Sequence, residues 1–124
     1  MFARVGGNTF FDDLVERFYR RVECEAKLRR LYPDDLSSSR RSLARFLAQY
    51  WGGPDLYSQE KGHPRLRQRH AGFVIGHAER DAWFAAMRDA LAEISAGAGS
   101  ALTPDIEAEM LEYFDRAATW LVNS

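Results

Sequence analysis

Apolar residues recur with the period of an α-helix along almost the whole chain. Between Phe10 and Val22 they return every fourth residue, and a second apolar row lies beside the first. The first row is Phe10, Leu14, Phe18 and Val22, and the second is Phe11, Val15 and Tyr19. Charged residues fill the other positions. The stretch therefore predicts an amphipathic helix with a wide buried face.

Glycine and proline indicate where this helix and the next one are bounded. Gly6-Gly7 predicts a sharp corner before the first helix, with Asn8 or Thr9 as its cap. Gly52-Gly53-Pro54 ends a second helix, and residues 51–63 are expected to be mostly irregular.

Three further stretches show the helical period, and no stretch alternates as a strand would. They are Ser38 to Tyr50, Asp81 to Ile94, and Asp105 to Val122 after a Thr103-Pro104 cap. The residues expected to face inward are Leu43, Phe46, Leu47 and Tyr50; Trp83, Met87, Leu91 and Ile94; and Ile106, Met110, Phe114, Ala117 and Leu121. The chain is therefore predicted to be all-α.

Length and charge restrict the classes of function. The 124 residues predict a single domain, residues 1–124, and a net charge of −1 argues against a nucleic-acid partner. No apolar run is long enough for a membrane span, and the first residues lack the apolar segment of a signal peptide. We therefore expect a cytoplasmic protein. Its lone Cys24 excludes an internal disulfide.

The aromatic content and one histidine raise the possibility of a bound ligand. Aromatic residues make up 13% of the chain, and Tyr19 and Trp83 lie on inward faces. Buried phenols and indoles need hydrogen-bond partners, so these residues form either the rim of an ordinary core or a ligand cavity with converging polar tips. His70 ends a short helix that Pro64 opens. A single imidazole ligand suits a haem iron, although most lone histidines are structural.

Motifs along the chain resemble those of one family. They are Val5-Gly6-Gly7, Arg17-Phe18-Tyr19, Leu31-Tyr32-Pro33, Phe46-Leu47-Ala48-Gln49-Tyr50-Trp51-Gly52-Gly53-Pro54, Gly62-His63-Pro64-Arg65-Leu66-Arg67, Arg69-His70 and Glu79-Arg80-Asp81-Ala82-Trp83. In order and spacing they resemble the group II (O-type) truncated haemoglobins of actinobacteria, from Val5 to Val122. The resemblance implies a two-over-two helical globin sandwich that binds haem b.

The resemblance also implies roles for individual residues. His70 would be the iron ligand, while Tyr19, Tyr32 and Trp83 would hydrogen-bond the gas ligand on the distal side. Ser39 would stand where animal globins carry their distal histidine. The other expected cofactor contacts are Leu43 and Phe46 on the distal wall, Met87 beside Trp83, and Tyr57, Lys61, Arg67 and Arg69 near the propionates. For the arginines, a solvated face is the alternative.

Several functions fit such a protein. The first is binding of O2, NO and CO with slow O2 release and redox chemistry, such as NO dioxygenation or peroxide and peroxynitrite turnover. That chemistry needs a separate reductase, because the chain has no flavin or nicotinamide motif. The alternatives are a reversible O2 carrier or gas sensor, and a haem-free helical interaction domain. The sequence leaves the oligomeric state open, with a homodimer as one alternative.

Overall fold

A computed structural model describes residues 3–32, 34–53, 76–97 and 102–120, and every regular element among them is helical. A single 3-10 turn, Ala3–Val5, precedes five α-helices. These are α1 (Asn8–Cys24), α2 (Ala26–Arg29), α3 (Ser37–Tyr50), α4 (His77–Ala96) and α5 (Pro104–Trp120). The prediction of an all-α chain is confirmed for these residues. None of their helices is long and apolar enough to cross a membrane.

Helix α1 lies at the centre of the fold. It packs against α2, α3 and α4, and α4 in turn packs against α5. All seven residues of its two predicted apolar rows are buried. Full burial of one such side chain contributes about 1.5–3 kcal/mol, so the two rows fix α1 as the core element. Arg17 and Arg21 both pair with Glu93 at the surface, which links α1 to α4.

The corner before α1 is made by glycine backbone. Gly6 and Gly7 have φ angles of 103° and 72°, which side-chain-bearing residues rarely adopt. Gly7 is the cap, and no side chain caps the helix. The prediction that Asn8 or Thr9 caps it is therefore wrong, because the chain enters the helix directly from the left-handed glycine pair.

Helix α3 is rotated relative to its predicted face. Tyr50 was expected to face inward, but it is 51% exposed. The buried positions are Ala44, Leu47 and Ala48, with Leu43 and Phe46 only partly buried. Two of the three buried positions are alanines, whose small side chains allow the backbones of α3 and α1 to approach closely, and Tyr50 lies outside this buried face. The inward prediction for Tyr50 is therefore wrong.

Trp51 anchors the end of α3. It follows the last helical residue, is 9% exposed, and stacks on Phe11 of α1 with a centroid distance of 6.0 Å. Gly52 then turns the chain with a φ of 98°. The predicted irregular stretch thus begins where expected, whereas residues 54–63 lie outside the described residues.

Local capping sets the starts of the last two helices. Helix α4 begins at His77, earlier than predicted, because the Glu79 carboxylate accepts a 2.8 Å hydrogen bond from the Gly76 N–H. At α5 the Thr103 hydroxyl accepts a bond from the Ile106 N–H, which confirms the predicted cap.

The buried face of α5 follows the predicted row for three residues and then departs from it by one position. Ile106, Met110 and Phe114 are buried as predicted, but the next buried residue is Ala118 rather than Ala117. Ala117 is only partly buried, and Leu121 lies outside the described residues.

Candidate functional site

Three predicted distal residues come together from three different parts of the chain. Tyr19 lies on α1, Tyr32 follows α2, and Trp83 lies on α4. The rings of Tyr19 and Tyr32 meet edge to face at 5.4 Å, and Trp83 contacts Phe18, the neighbour of Tyr19, at 5.5 Å. The structure thus brings two phenols and one indole into one cluster, which we call the distal cluster.

The short helix α2 and the turn after it place Tyr32. Leu28 is fully buried and anchors α2, whose first turn is capped by the Glu25 side chain. The Arg29 guanidinium then donates to the backbone carbonyls of Tyr32, at 3.3 Å, and Asp34, at 2.8 Å. This clamp orders the chain around Tyr32. Sequence analysis did not identify Arg29, although an arginine three residues before the tyrosine is within reach of its carbonyl.

Hydrogen bonds connect the members of the distal cluster. The Trp83 indole, which can only donate, bonds to the Tyr32 oxygen. Tyr19 also bonds to Tyr32, and Ser39 of α3 bonds to Tyr19. The Tyr19–Tyr32 bond raises the pKa of Tyr19 and lowers that of Tyr32, as expected when Tyr19 donates. With Tyr19 as the donor, the hydrogen of the Tyr32 hydroxyl takes part in none of these three bonds.

Burial keeps both phenols neutral. Desolvation is the main cause that raises the pKa of Tyr19 and of Tyr32 above the ordinary value for tyrosine. The nearby Arg40 guanidinium lowers the pKa of Tyr19 only slightly, and it forms a 3.0 Å ion pair with Glu23. In the described part of the chain, no charged side chain is buried. The cluster is therefore a set of neutral donors in an apolar setting.

The remaining distal residues lie close to this cluster in the helices. Leu43 is one turn beyond Ser39 on α3, and Phe46 is three residues further on, so they follow the same side of the helix. Both are partly buried and pack against the core cluster. Met87, one turn after Trp83 on α4, is fully buried. Neutral donors beside apolar walls are the donor set that suits a diatomic ligand on an apolar macrocycle such as haem.

The predicted proximal residues lie outside the described residues. These are His70, the predicted iron ligand, and Tyr57, Lys61, Arg67 and Arg69. His63 is also outside them, whereas His77 is exposed at the first position of α4. Over residues 3–32, 34–53, 76–97 and 102–120, no three His, Cys, Asp or Glu side chains are grouped so that they could hold a metal ion.

Comparison with known proteins gives consistent matches. Residues 1–120 match the family described as bacterial-like globin. The chain is 44% identical over 85 residues to the group 2 truncated hemoglobin YjbI of Bacillus subtilis, a match that spans 68% of this chain and 64% of that protein. The chain therefore spans just under two thirds of this relative's length.

Solved structures give the same answer for the fold. A hemoglobin from Chloroflexus aurantiacus superposes with a TM-score of 0.90 at 43% identity, covering 99% of this chain and 97% of the other. A truncated oxygen-avid haemoglobin from Bacillus subtilis superposes with a TM-score of 0.83 at 35% identity, covering 94% of each chain. The fold shared with these neighbours is the two-over-two globin sandwich.

Proposed function

The chain belongs to the bacterial-like globin family, and we propose that it is a haem b protein that releases O2 slowly and uses it in redox chemistry. Its relatives are group II truncated haemoglobins, its cofactor is haem b, and its ligands are small gases. When bound, haem supplies an iron at which O2, NO or CO coordinates. The observation that carries the proposal is the convergence of Tyr19, Tyr32 and Trp83 in one hydrogen-bonded cluster.

Slow O2 release follows from the chemistry of these donors. A bound O2 would carry partial negative charge on its outer oxygen and would accept hydrogen bonds, and a donor in an apolar site is worth more than one in water. We assign this role first to the Tyr32 hydroxyl, whose hydrogen is not engaged by Tyr19 or Trp83. The Trp83 indole N–H is the second donor, and Tyr19 orients Tyr32. The similarity to the truncated oxygen-avid haemoglobin of Bacillus subtilis supports the same conclusion.

On the proximal side we propose His70 as the single iron ligand. A neutral imidazole can hold iron through one ring nitrogen while the other donates to a backbone carbonyl, which fixes the ring. We propose Arg67, Arg69, Tyr57 and Lys61 as partners of the propionates, by charge-assisted hydrogen bonds. The apolar contacts to the ring would come from Leu43 and Phe46 on α3, together with Met87 on α4.

The redox chemistry we propose is conversion of NO and O2 to nitrate, or reduction of peroxide and peroxynitrite. Nitrate formation consumes one electron per turnover, so a separate reductase would be the partner. A cytoplasmic location stays a prediction, and a homodimer stays one alternative for the oligomeric state.

The test combines two measurements on the purified holoprotein. We expect slow O2 dissociation by stopped flow, and steady NO consumption with nitrate formation when a ferredoxin-type reductase and its nicotinamide reductant are supplied. The matched control omits the reductase and should show one turnover only. Slow O2 release without repeated turnover would instead favour a gas sensor, and fast release would favour a reversible carrier.

A further inference from the structure

A continuous series of aromatic contacts runs from the distal cluster to the protein surface. Trp83 contacts Phe114 at 5.9 Å, Phe114 contacts Trp51 at 5.7 Å, and Trp51 contacts Tyr50 at 5.0 Å. Tyr113 completes the outer end, 4.2 Å from Tyr50 and 5.1 Å from Trp51. We call Trp83, Phe114, Trp51, Tyr113 and Tyr50 the aromatic path.

The two ends of the aromatic path differ in their access to water. Phe114 is fully buried and Trp51 is 9% exposed, whereas Tyr50 is 51% exposed. Tyr50 is the one exposed large apolar side chain among the described residues, so core packing does not explain its place. Tyr50 instead extends the series of ring contacts from Trp51 to the protein surface.

The access of each aromatic side chain to water determines which residue holds the radical after a one-electron oxidation. Indoles and phenols are the side chains from which an electron is most readily removed, and an oxidised phenol must give up its proton. Tyr19 and Tyr32 are desolvated and bonded to each other, to Ser39 and to Trp83, and none of these described partners is a base that could accept their protons. Tyr50 can release its proton directly to solvent. An oxidising equivalent is therefore expected to leave the pocket and to settle at Tyr50.

We propose that Tyr50 and Tyr113 form a surface site at which phenolic donors too large for the distal pocket are oxidised by one electron, with hydrogen peroxide as the oxidant. This inference rests on the proposed redox function, because the oxidising equivalent arises in the pocket. It adds a second reaction site, at the protein surface, which gas binding in the distal pocket does not imply. The aromatic path joins the two places.

The reaction with hydrogen peroxide balances in electrons and protons. Hydrogen peroxide takes up two electrons and two protons and gives two water molecules. Each electron leaves Tyr50, moves inward along the aromatic path, and is accompanied by loss of the hydroxyl proton to solvent. A phenolic donor restores Tyr50 by giving one hydrogen atom and becomes a phenoxyl radical. Without a donor, two oxidised Tyr50 rings from separate molecules join by a carbon–carbon bond and form dityrosine.

The experiment treats the ferric holoprotein with one equivalent of hydrogen peroxide and a biotin-tagged phenol. Peptide mass spectrometry then locates the tag, and fluorescence measures dityrosine when the phenol is omitted. We expect tagging at Tyr50. Trp51→Phe should lower it on the order of tenfold, equivalent to about 1.4 kcal/mol in the barrier, while peroxide consumption at the haem is retained. Tyr50→Phe should abolish dityrosine.

A matched control separates transfer through the protein from attack by radicals in solution. Arg88→Tyr puts a tyrosine on α4 at a position whose side chain is 54% exposed, close to that of Tyr50. Tagging at position 88 should be about tenfold weaker than at Tyr50 in the same molecule. This comparison does not depend on the folding of Trp51→Phe.

The outcomes distinguish this inference from the proposed function. Equal tagging at positions 50 and 88, or tagging that Trp51→Phe leaves unchanged, overturns the surface site even when peroxide is consumed. A holoprotein that binds O2 but does not react with peroxide also overturns it, and the NO assay then decides the proposed function separately. A protein that takes up no haem overturns both.

Discussion

At the scale of single residues, the distal cluster depends on which hydrogen each donor has available. Tyr32 receives bonds from Trp83 and Tyr19, so its own hydrogen is the one left for a ligand. The single N–H of Trp83 bonds to Tyr32, so it reaches a ligand only by turning away from Tyr32. Each residue therefore contributes by a hydrogen bond rather than by charge.

Replacing Trp83 should speed O2 release far more than CO release. A hydrogen bond to a partly charged acceptor is worth about 1.5–3 kcal/mol, so Trp83→Phe should raise the O2 dissociation rate by roughly ten- to a hundredfold. The outer oxygen of CO carries less negative charge, so its dissociation serves as the internal control. Flash photolysis and ligand replacement measure both rates. An equal acceleration of both gases would mean that Trp83 acts by filling space.

Tyr19 and Tyr32 should substitute for each other. Tyr32→Phe releases the Tyr19 hydroxyl from its bond to Tyr32, and Tyr19→Phe leaves the free Tyr32 hydrogen in place. Each single variant should therefore change O2 dissociation only mildly, while the double variant should lose much more than the sum. A double-mutant cycle on the O2 dissociation rate measures this coupling. Strictly additive effects would show that the two phenols do not share a ligand.

His70→Ala should lose the ferrous haem spectrum of a histidine-ligated globin. The reason is that no other protein group is proposed to hold the iron. His63→Ala and His77→Ala are the matched controls, since His77 is exposed at the start of α4, and both should retain the spectrum. Absorption and resonance Raman spectra of the three variants test this. An unchanged five-coordinate ferrous spectrum in His70→Ala would refute the assignment.

At the scale of elements, the packing of α3 against α1 controls the distal wall. Ala44, Leu47 and Ala48 are the buried residues of α3, whereas Leu43 and Phe46 are partly buried and Tyr50 is exposed. Ser39 on the same helix bonds to Tyr19 across the interface. A change in helix spacing should therefore affect the site as well as stability.

Ala44→Leu should destabilise the protein and disturb the distal cluster together. Overpacking a tight interface costs about 1–3 kcal/mol, and the added side chain would push α3 away from α1. The matched control is Ala92→Leu, which adds the same atoms at an exposed position of α4. Denaturant titration and O2 dissociation are the two measurements. Similar stability in both variants would contradict the close helix contact.

At the scale of the whole molecule, the buried phenols couple stability to pH. Their pKa is raised by burial in the folded state, whereas in the unfolded chain they ionise near the ordinary value of 10.0. The contribution of these phenols to the free energy of unfolding is therefore complete below pH 10.0. It is lost as the pH rises toward their pKa values in the folded state. Burial raises the pKa of Tyr113 as well, to about 12.

We expect the free energy of unfolding to fall steeply in alkali. Each buried phenol contributes about 1.4 kcal/mol per pH unit once the unfolded form is ionised. Tyr19→Phe should flatten this dependence above pH 10.0, while Ser39→Ala, which removes a hydrogen bond but no ionisable group, should keep the slope. Denaturant titrations of the ferrous protein under CO test this. An identical slope in Tyr19→Phe and the native protein would disprove the coupling.

The sequence by itself determined the helical class, the double apolar row of α1 and the cap at Thr103, because these depend on spacing and on local chemistry. Its motifs also identified the family and the three distal residues that the structure brings together. The tertiary structure alone decided the rotation of α3, the exposure of Tyr50 and the Arg29 clamp on Tyr32. Periodicity defines a face only to within a residue or so, and the contact between helices selects the face that is buried. The hydrogen bonds in the distal cluster have the same origin, since its three members and Ser39 come from different parts of the chain and meet only when the chain is folded.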